Sequence, residues 1–180
     1  MKVINLDING LKLIEPDVFS DDRGVFFESY NQEKFHQIGI DDNFVQDNQS
    51  LSNKNVLRGL HFQTGVHAQA KLVRVIKGGV IDVAVDLRND SPTFGQHYSV
   101  ELNDKNNFML YIPIGFAHGF VALMDQTVFA YKCSSLYNKS SESGIIWSDK
   151  QLNINWGDVN PLISNKDAIL PSFDINKYYF

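Results

Sequence analysis

From Phe44 to Cys133 the chain is a succession of short alternating or apolar runs, each closed by turn-forming residues. Runs of that length, rich in Val, Ile, Phe and Tyr, read as strands, and the gaps between them leave no room for crossover helices. Strands are predicted over 44–52, 56–63, 71–76, 80–87, 97–102, 108–112, 119–123 and 127–133. Residues 1–14 alternate around Asn9-Gly10 and predict a further hairpin. The best helix pattern is Asn31 to Ile38, where Asn31 can cap, Phe35 and Ile38 share a face, and Gly39 can end the turn. Lys71–Ile76 and Val80–Leu87, joined by Lys77-Gly78-Gly79, form the clearest expected hairpin. Many close strands with almost no helix predict an all-β sandwich or barrel, and a jelly roll of antiparallel strands with a few short peripheral helices is the form expected. Residues 1–180 are expected to form a single domain, with irregular segments beyond Tyr137 wrapped on the body and anchored by Trp147 and Trp156.

Composition narrows the function classes. The chain is 43% hydrophobic and 12% aromatic, enough to build a core without a metal or disulfide staple. Its net charge of -5 argues against general nucleic-acid binding, though not against an anionic small ligand held by local cations. Cys133 is the only cysteine, which excludes an intrachain disulfide and fits a reducing cytosol. Asp7 interrupts the start where a signal peptide would be apolar, and no run approaches a membrane span, so a soluble cytoplasmic protein is expected.

Several strands carry polar groups that a plain core would not. The run VLRGLHFQ, Val56 to Gln63, holds Arg58 and His61, which are three apart and would face opposite sides of a regular strand. Gly59 between them suggests a bulge that would bring both to one face. Gln46, Asn48 and Ser50 alternate along one strand face, and Asp82 and Asp86 share another. Lys71 opens an apolar strand, His118 sits within IPIGFAHGF, and Tyr131-Lys132 follows Val128-Phe129-Ala130. Singly, each reads as a solvent face, a surface ion pair or a satisfied core group. A lined cavity accounts for all of them with one assumption.

Together these motifs are similar to the dTDP-4-dehydrorhamnose 3,5-epimerase family. The resemblance rests on Asp22-Arg23-Gly24 with Phe27-Glu28, Gln46-Asp47-Asn48, VLRGLHFQ, Gln69-Ala70-Lys71-Leu72-Val73, the run from Asp82 to Arg88, Ser91-Pro92-Thr93-Phe94-Gly95, IPIGFAHGF, Tyr131-Lys132, and Ser164 to Ala168. Order and approximate spacing hold from about residue 16 to 172. It implies a cupin-like jelly roll without metal, a homodimer, and a step in making activated L-rhamnose. Pro113-x-Gly115-x-x-His118 also looks like the second metal motif of cupins, but the H-x-H pair of the first is missing because Phe62 and Gln63 follow His61. His67 lies in a loop, so each motif offers one ligand where a metal needs three or four.

The resemblance also implies a chemistry. A ketone at sugar C4 makes the C3 and C5 protons acidic, and inversion there needs a base, a donor at the enolate oxygen and an acid on the opposite ring face. His61 matches the base, Asp167 its dyad partner, Lys71 the cation at the oxyanion and Tyr131 the acid. No organic cofactor or metal is required. Arg23 and Arg58 suit the diphosphate. Glu28, Gln46 and Asn48 suit base, ribose or phosphate contacts, and His118 the sugar or diphosphate. Tyr137, Glu142 and Lys166 match positions near the nucleotide, and Phe26, with Phe19, could stack on thymine. In a dimer the amino-terminal strand can cross over, so Arg23, Phe26 and Glu28 would serve the partner's site. Departures are Asn55 where Gly is usual, Gly65-Val66 in place of a Pro-rich loop, and Asn165 in place of Glu. Alternatives are a single-centre epimerase, a non-catalytic sugar-nucleotide-binding jelly roll and a metal-dependent cupin oxygenase.

Overall fold

Alternation along the strands decides which side chains meet. A computed structural model describes residues 1–180. The elements are β1 (Lys2–Asn5), β2 (Lys12–Glu15), β3 (Phe19–Asp21), β4 (Gly24–Phe26), α1 (Gln32–Gln37), β5 (Gln46–Ser52), β6 (Leu57–Gln63), β7 (Lys71–Lys77), β8 (Gly79–Asp86), β9 (His97–Asn103), β10 (Met109–Ile112), β11 (Phe116–Ala122), β12 (Thr127–Cys133) and β13 (Glu142–Gly144). Single turns of 3₁₀ helix lie at Gly65–His67 and Asp167–Ile169. A six-stranded sheet runs β1-β2-β10-β7-β12-β5, and a five-stranded sheet runs β13-β6-β11-β8-β9. From β5 onward the chain changes sheet at almost every connection, with β8–β9 the exception, as a jelly roll does.

That alternation corrects one expectation. β7 and β8 are not a hairpin: they lie in different sheets, and Gly78 carries the chain from one to the other. Its φ of 86° is open to glycine, and a Cβ there would meet Thr127 Oγ1 at 2.5 Å. A hairpin and a sheet-switching corner share the same sequence signature of two apolar runs and a glycine turn. The β1–β2 pair is a true hairpin, and α1 starts as predicted, with Lys34 N–H donating to Asn31 Oδ1 at 3.2 Å. β11 begins at Phe116, three residues earlier than 119, and β13 adds a short strand where irregular chain was expected.

Three apolar layers result. Between the sheets, Val73, Val75, Val80, Ala84, Leu110, Phe120 and Phe129 form a core. Outside the six-stranded sheet, Phe35 of α1 and Ile40 cover Ile14, Leu72 and Met109. Outside the other sheet, the carboxy-terminal segment lays Trp156, Phe173 and Tyr179 over Leu57, Leu60, Val83 and Val85. Trp156 Nε1 donates to the Trp147 carbonyl at 2.9 Å, which ties the two tryptophans together. Each fully buried Phe or Leu stabilises the fold by roughly 2 kcal/mol through water exclusion.

The decisive irregularity is in β6. His61 pairs with His118 and Arg58 with Phe120, so two steps along β11 match three along β6. His118 and Phe120 share one face of β11, and the extra residue therefore places Arg58 and His61 on the same face. Gly59, with φ of 135°, is packed against Gly119: a Cβ on it would meet Gly119 Cα at 2.5 Å. Asn55, where the resemblance expects Gly, has φ of 68°, a left-handed conformation that Asn tolerates better than most residues.

Gly119→Ala is expected to destabilise the chain by about 2 kcal/mol or more, because a bulged core strand cannot move aside. Its Cβ would lie 2.8 Å from the Arg58 carbonyl oxygen. Urea unfolding checks this; a change under about 0.5 kcal/mol, the usual scale of a neutral surface substitution, would contradict it.

Candidate active site

One end of the space between the sheets is polar and open. It forms a cavity of roughly 620 Å³. The six-stranded sheet contributes Gln46, Asn48 and Ser50 from β5, Lys71 from β7, and Tyr131 and Cys133 from β12. The facing sheet contributes Arg58 and His61 from β6 and His118 from β11. Tyr137, Glu142, Lys166 and Asp167 complete the lining. The alternating polar face of β5 is thus cavity wall, while Asp47, Gln49 and Leu51 are exposed.

His61 Nε2 lies 2.7 Å from Asp167 Oδ1. With the carboxylate ionised, Nε2–H is the donor and the imidazole lone pair sits on Nδ1. The Gly59 N–H reaches Asp167 Oδ2 at 3.4 Å, and the Asp167 N–H donates to Ser164 Oγ at 3.1 Å. Burial alone would raise the Asp167 carboxyl, but the hydrogen bond and charge of His61 and the Gly59 N–H hold it below its ordinary value. The 3₁₀ turn that carries Asp167 is what joins two residues over one hundred positions apart.

Lys71 is buried, and its Nζ donates to the His61 carbonyl at 3.4 Å. Burial pushes its ammonium below the ordinary lysine range, against the charges of Cys133, Asp82 and Glu142. Burial likewise raises the Tyr131 phenol, with Cys133 and Glu142 adding and Arg58 opposing, so it stays protonated at neutral pH and is a donor. Arg58 Nε donates to Ser52 Oγ at 3.3 Å. His118 Nε2, recessed in the cavity wall, lies 2.9 Å from Asp82 Oδ2, which is buried behind it. Burial lowers the His118 imidazole despite Asp82, so it is neutral near pH 7. No three His, Cys, Asp or Glu side chains converge as a metal shell would require.

At the mouth, Glu142 accepts from Tyr137 Oη at 2.9 Å and pairs with Lys166 Nζ at 2.5 Å. Arg23, Phe26 and Glu28 are elsewhere. The β3–β4 hairpin projects from the body, with Phe26 72% exposed and the Arg23 guanidinium on Asp21. Glu28 binds Lys34 at 2.6 Å and Asn31 at 3.0 Å. Within one chain these three do not reach the cavity.

Sequence reasoning missed one contributor and misplaced another. Gln63 is buried and holds the mouth segment: its Oε1 accepts from Asn138 N–H at 2.7 Å and its Nε2 donates to the His67 carbonyl at 2.7 Å. Asp82, expected either on a cavity wall or in a surface ion pair, is in neither place: it is fully buried and paired with His118 behind the lining. Its place on a strand face between Val80 and Ala84 was the available signal.

Opposed walls that present an oriented imidazole and a protonated phenol across a jelly-roll interior are the build of a cupin-like epimerase, an isomerase. No helix is long and apolar enough to cross a membrane. The profile of the dTDP-4-dehydrorhamnose 3,5-epimerase family matches residues 5–174. The Shigella flexneri enzyme of that name is 52% identical over 168 residues, which is 93% of each chain. The dTDP-4-dehydrorhamnose 3,5-epimerase of Bacillus anthracis, solved with TDP and PPi bound, is 46% identical with a TM-score of 0.93, across 96% of this chain and 99% of that one. The dTDP-6-deoxy-D-glucose-3,5-epimerase of Legionella pneumophila, solved in complex with dTDP-4-keto-L-rhamnose, is 45% identical with a TM-score of 0.89, across 96% and 98%. The chain belongs to the dTDP-4-dehydrorhamnose 3,5-epimerase family.

Because Asp167 is held low, its contribution to stability is full above the ordinary carboxylate range and is lost as pH falls through its folded value. Asp167→Asn should therefore be less stable than the parent at pH 7, with the gap closing in acid. Urea unfolding at both pH values reads this, and a gap that widened on acidification would contradict it.

Proposed function

We propose that the chain converts dTDP-4-dehydro-6-deoxy-D-glucose to dTDP-4-dehydro-L-rhamnose by inverting C5 and C3 in turn. The observation that carries this reading is the placement of His61 and Tyr131 on opposite walls of one cavity. A sugar ring lying between them would meet a base on one face and an acid on the other. His61 takes the proton from carbon, and the bonding pair moves into the C4 carbonyl to form an enolate. Lys71 stabilises the oxygen that gains charge. Tyr131 returns a proton to the opposite face, which inverts the centre, and both groups reset by exchange with water. Asp167 orients the imidazole and stabilises the imidazolium.

The remaining residues hold the nucleotide. Arg58 takes the diphosphate, and Gln46, Asn48, Tyr137, Glu142 and Lys166 surround the base and ribose at the cavity mouth. His118 contacts the sugar. Arg23, Phe26 and Glu28 act on the cavity of a partner subunit, which makes the functional unit a homodimer of single-domain chains working in the cytoplasm. The exposed Phe19, Val25 and Phe26 on the projecting hairpin support that arrangement, because such apolar surface is normally covered.

In heavy water the enzyme should place deuterium at both C3 and C5 of its product, read by proton NMR. Label at one carbon only would identify a single-centre epimerase, which needs the same groups. His61→Ala should lower exchange by about 1,000-fold or more while nucleotide binding survives, since general-base loss is worth 10²–10⁴-fold. Full exchange in that variant would reject His61 as the base. Mixing inactive Arg23→Ala and His61→Ala chains should restore up to about a quarter of parental activity, because only half the random dimers are mixed and each has one intact site. No recovery on mixing would place Arg23 outside the partner's site.

A further inference from the structure

The interior beside the cavity holds more buried charge than the proposed chemistry uses. Lys71 has only one hydrogen bond, the 3.4 Å contact with the His61 carbonyl. An ammonium ion in that position needs an opposite charge to remain protonated. The groups that act on it from the surrounding strands are Cys133 of β12, Glu142 of β13, Asp82 of β8 and His118 of β11, with His61 of β6 alongside.

Most of these are already engaged or uncharged. Burial raises the Cys133 thiol, though Lys71 and Asn48 oppose it, so it is not an anion near neutral pH. Glu142 is bound on both oxygens, by Lys166 and by Tyr137. The other carboxylate of the site, Asp167, is bound by His61 and the Gly59 N–H. His118 is neutral and gives its Nε2–H to Asp82 Oδ2. That leaves Asp82 Oδ1, which is buried and has no hydrogen-bond partner in the chain. Asp82 is 0% exposed, so this oxygen does not face solvent. It does not line the cavity and so has no direct contact with a substrate.

We propose that Asp82 is a positioning residue whose free oxygen supplies the counter-charge that keeps Lys71 an ammonium ion above the reacting carbonyl. The inference rests on the reading of Lys71 as the enolate stabiliser. His118 has a defined part in it: its hydrogen bond pins one carboxylate oxygen and leaves the other for Lys71. The two-sheet interior makes this possible, because Lys71 alternates in phase with Val73 and Val75 of β7, Asp82 with Val80 and Ala84 of β8, and those four apolar residues pack in one core between the sheets. Asp82 thereby acts on the reaction without touching the sugar.

The sign of the effect follows. Removing the negative charge lowers the Lys71 pKa further, so the enzyme loses its ammonium ion at a lower pH. In Asp82→Asn the alkaline limb of the kcat profile should move to lower pH, and kcat at pH 8 should fall about tenfold or more while KM changes by less than about threefold. Asp82→Glu should restore much of the limb. In a Lys71→Met background, Asp82→Asn should add little to the loss, because both act through the same charge. NMR titration of the Lys71 side chain in the full-length parent and in Asp82→Asn gives a readout independent of turnover, and the parent titration stands even if the variant folds poorly. A parent Lys71 that is a neutral amine at pH 7 would overturn the proposal, as would an unchanged titration in Asp82→Asn. Failure of the functional reading shows separately, as a parent enzyme that exchanges no carbon-bound proton.

Discussion

The contact between Gly59 and Gly119 governs where the chemistry can sit. Two backbones meet there with no room for a Cβ, and β6 carries one residue more than β11 beside it. Without that extra residue the strand would send either Arg58 or His61 to the outer face, into the apolar layer under Trp156 and Tyr179. With it, Leu57 and Leu60 both point outward to that layer, while the cation and the imidazole point inward. One bulge thus serves packing on one face and lines the cavity on the other.

Once polar groups are turned inward, their cost has to be offset locally. Asp167 is matched by His61, Asp82 by His118, Glu142 by Tyr137 and Lys166. Asp86, farther along the same face of β8, is held by Arg88, Ser91 and Thr93, whose hydrogen bonds outweigh the effect of burial and keep its carboxyl low. The pairs differ in exposure: the His61 side chain is 31% exposed and His118 only 7%, so the first stands open in the cavity and the second lies recessed in its wall.

Much of the fold was legible because alternation and turn residues report strand existence well. Thr127–Cys133 emerged with both ends right, and the Gln46, Asn48 and Ser50 face proved to be cavity wall. The resemblance carried the bulged strand to its partner Asp167, whose distance along the chain hides the contact from any local pattern. Other features were not legible for physical reasons. The Gly78 corner was misread because a turn glycine marks reversal, not which sheet receives the next strand. Gln63 was missed because an amide that braces backbone looks, in sequence, like any polar strand end. Asp82 was visible, but its burial depends on the facing sheet. Arg23, Phe26 and Glu28 stand outside the cavity of their own chain, and a sequence motif cannot say whether its site is completed within one subunit or between two.

The central claim is that acid and base act from opposite walls. Tyr131→Phe incubated with dTDP-4-dehydro-6-deoxy-D-glucose in heavy water tests it most directly, with label and stereochemistry read together by NMR. Loss of the phenol proton on one wall should leave His61 able to remove and return protons on the other. The account predicts deuterium incorporation with the starting configuration retained. Inversion at the parental rate in that variant would contradict it.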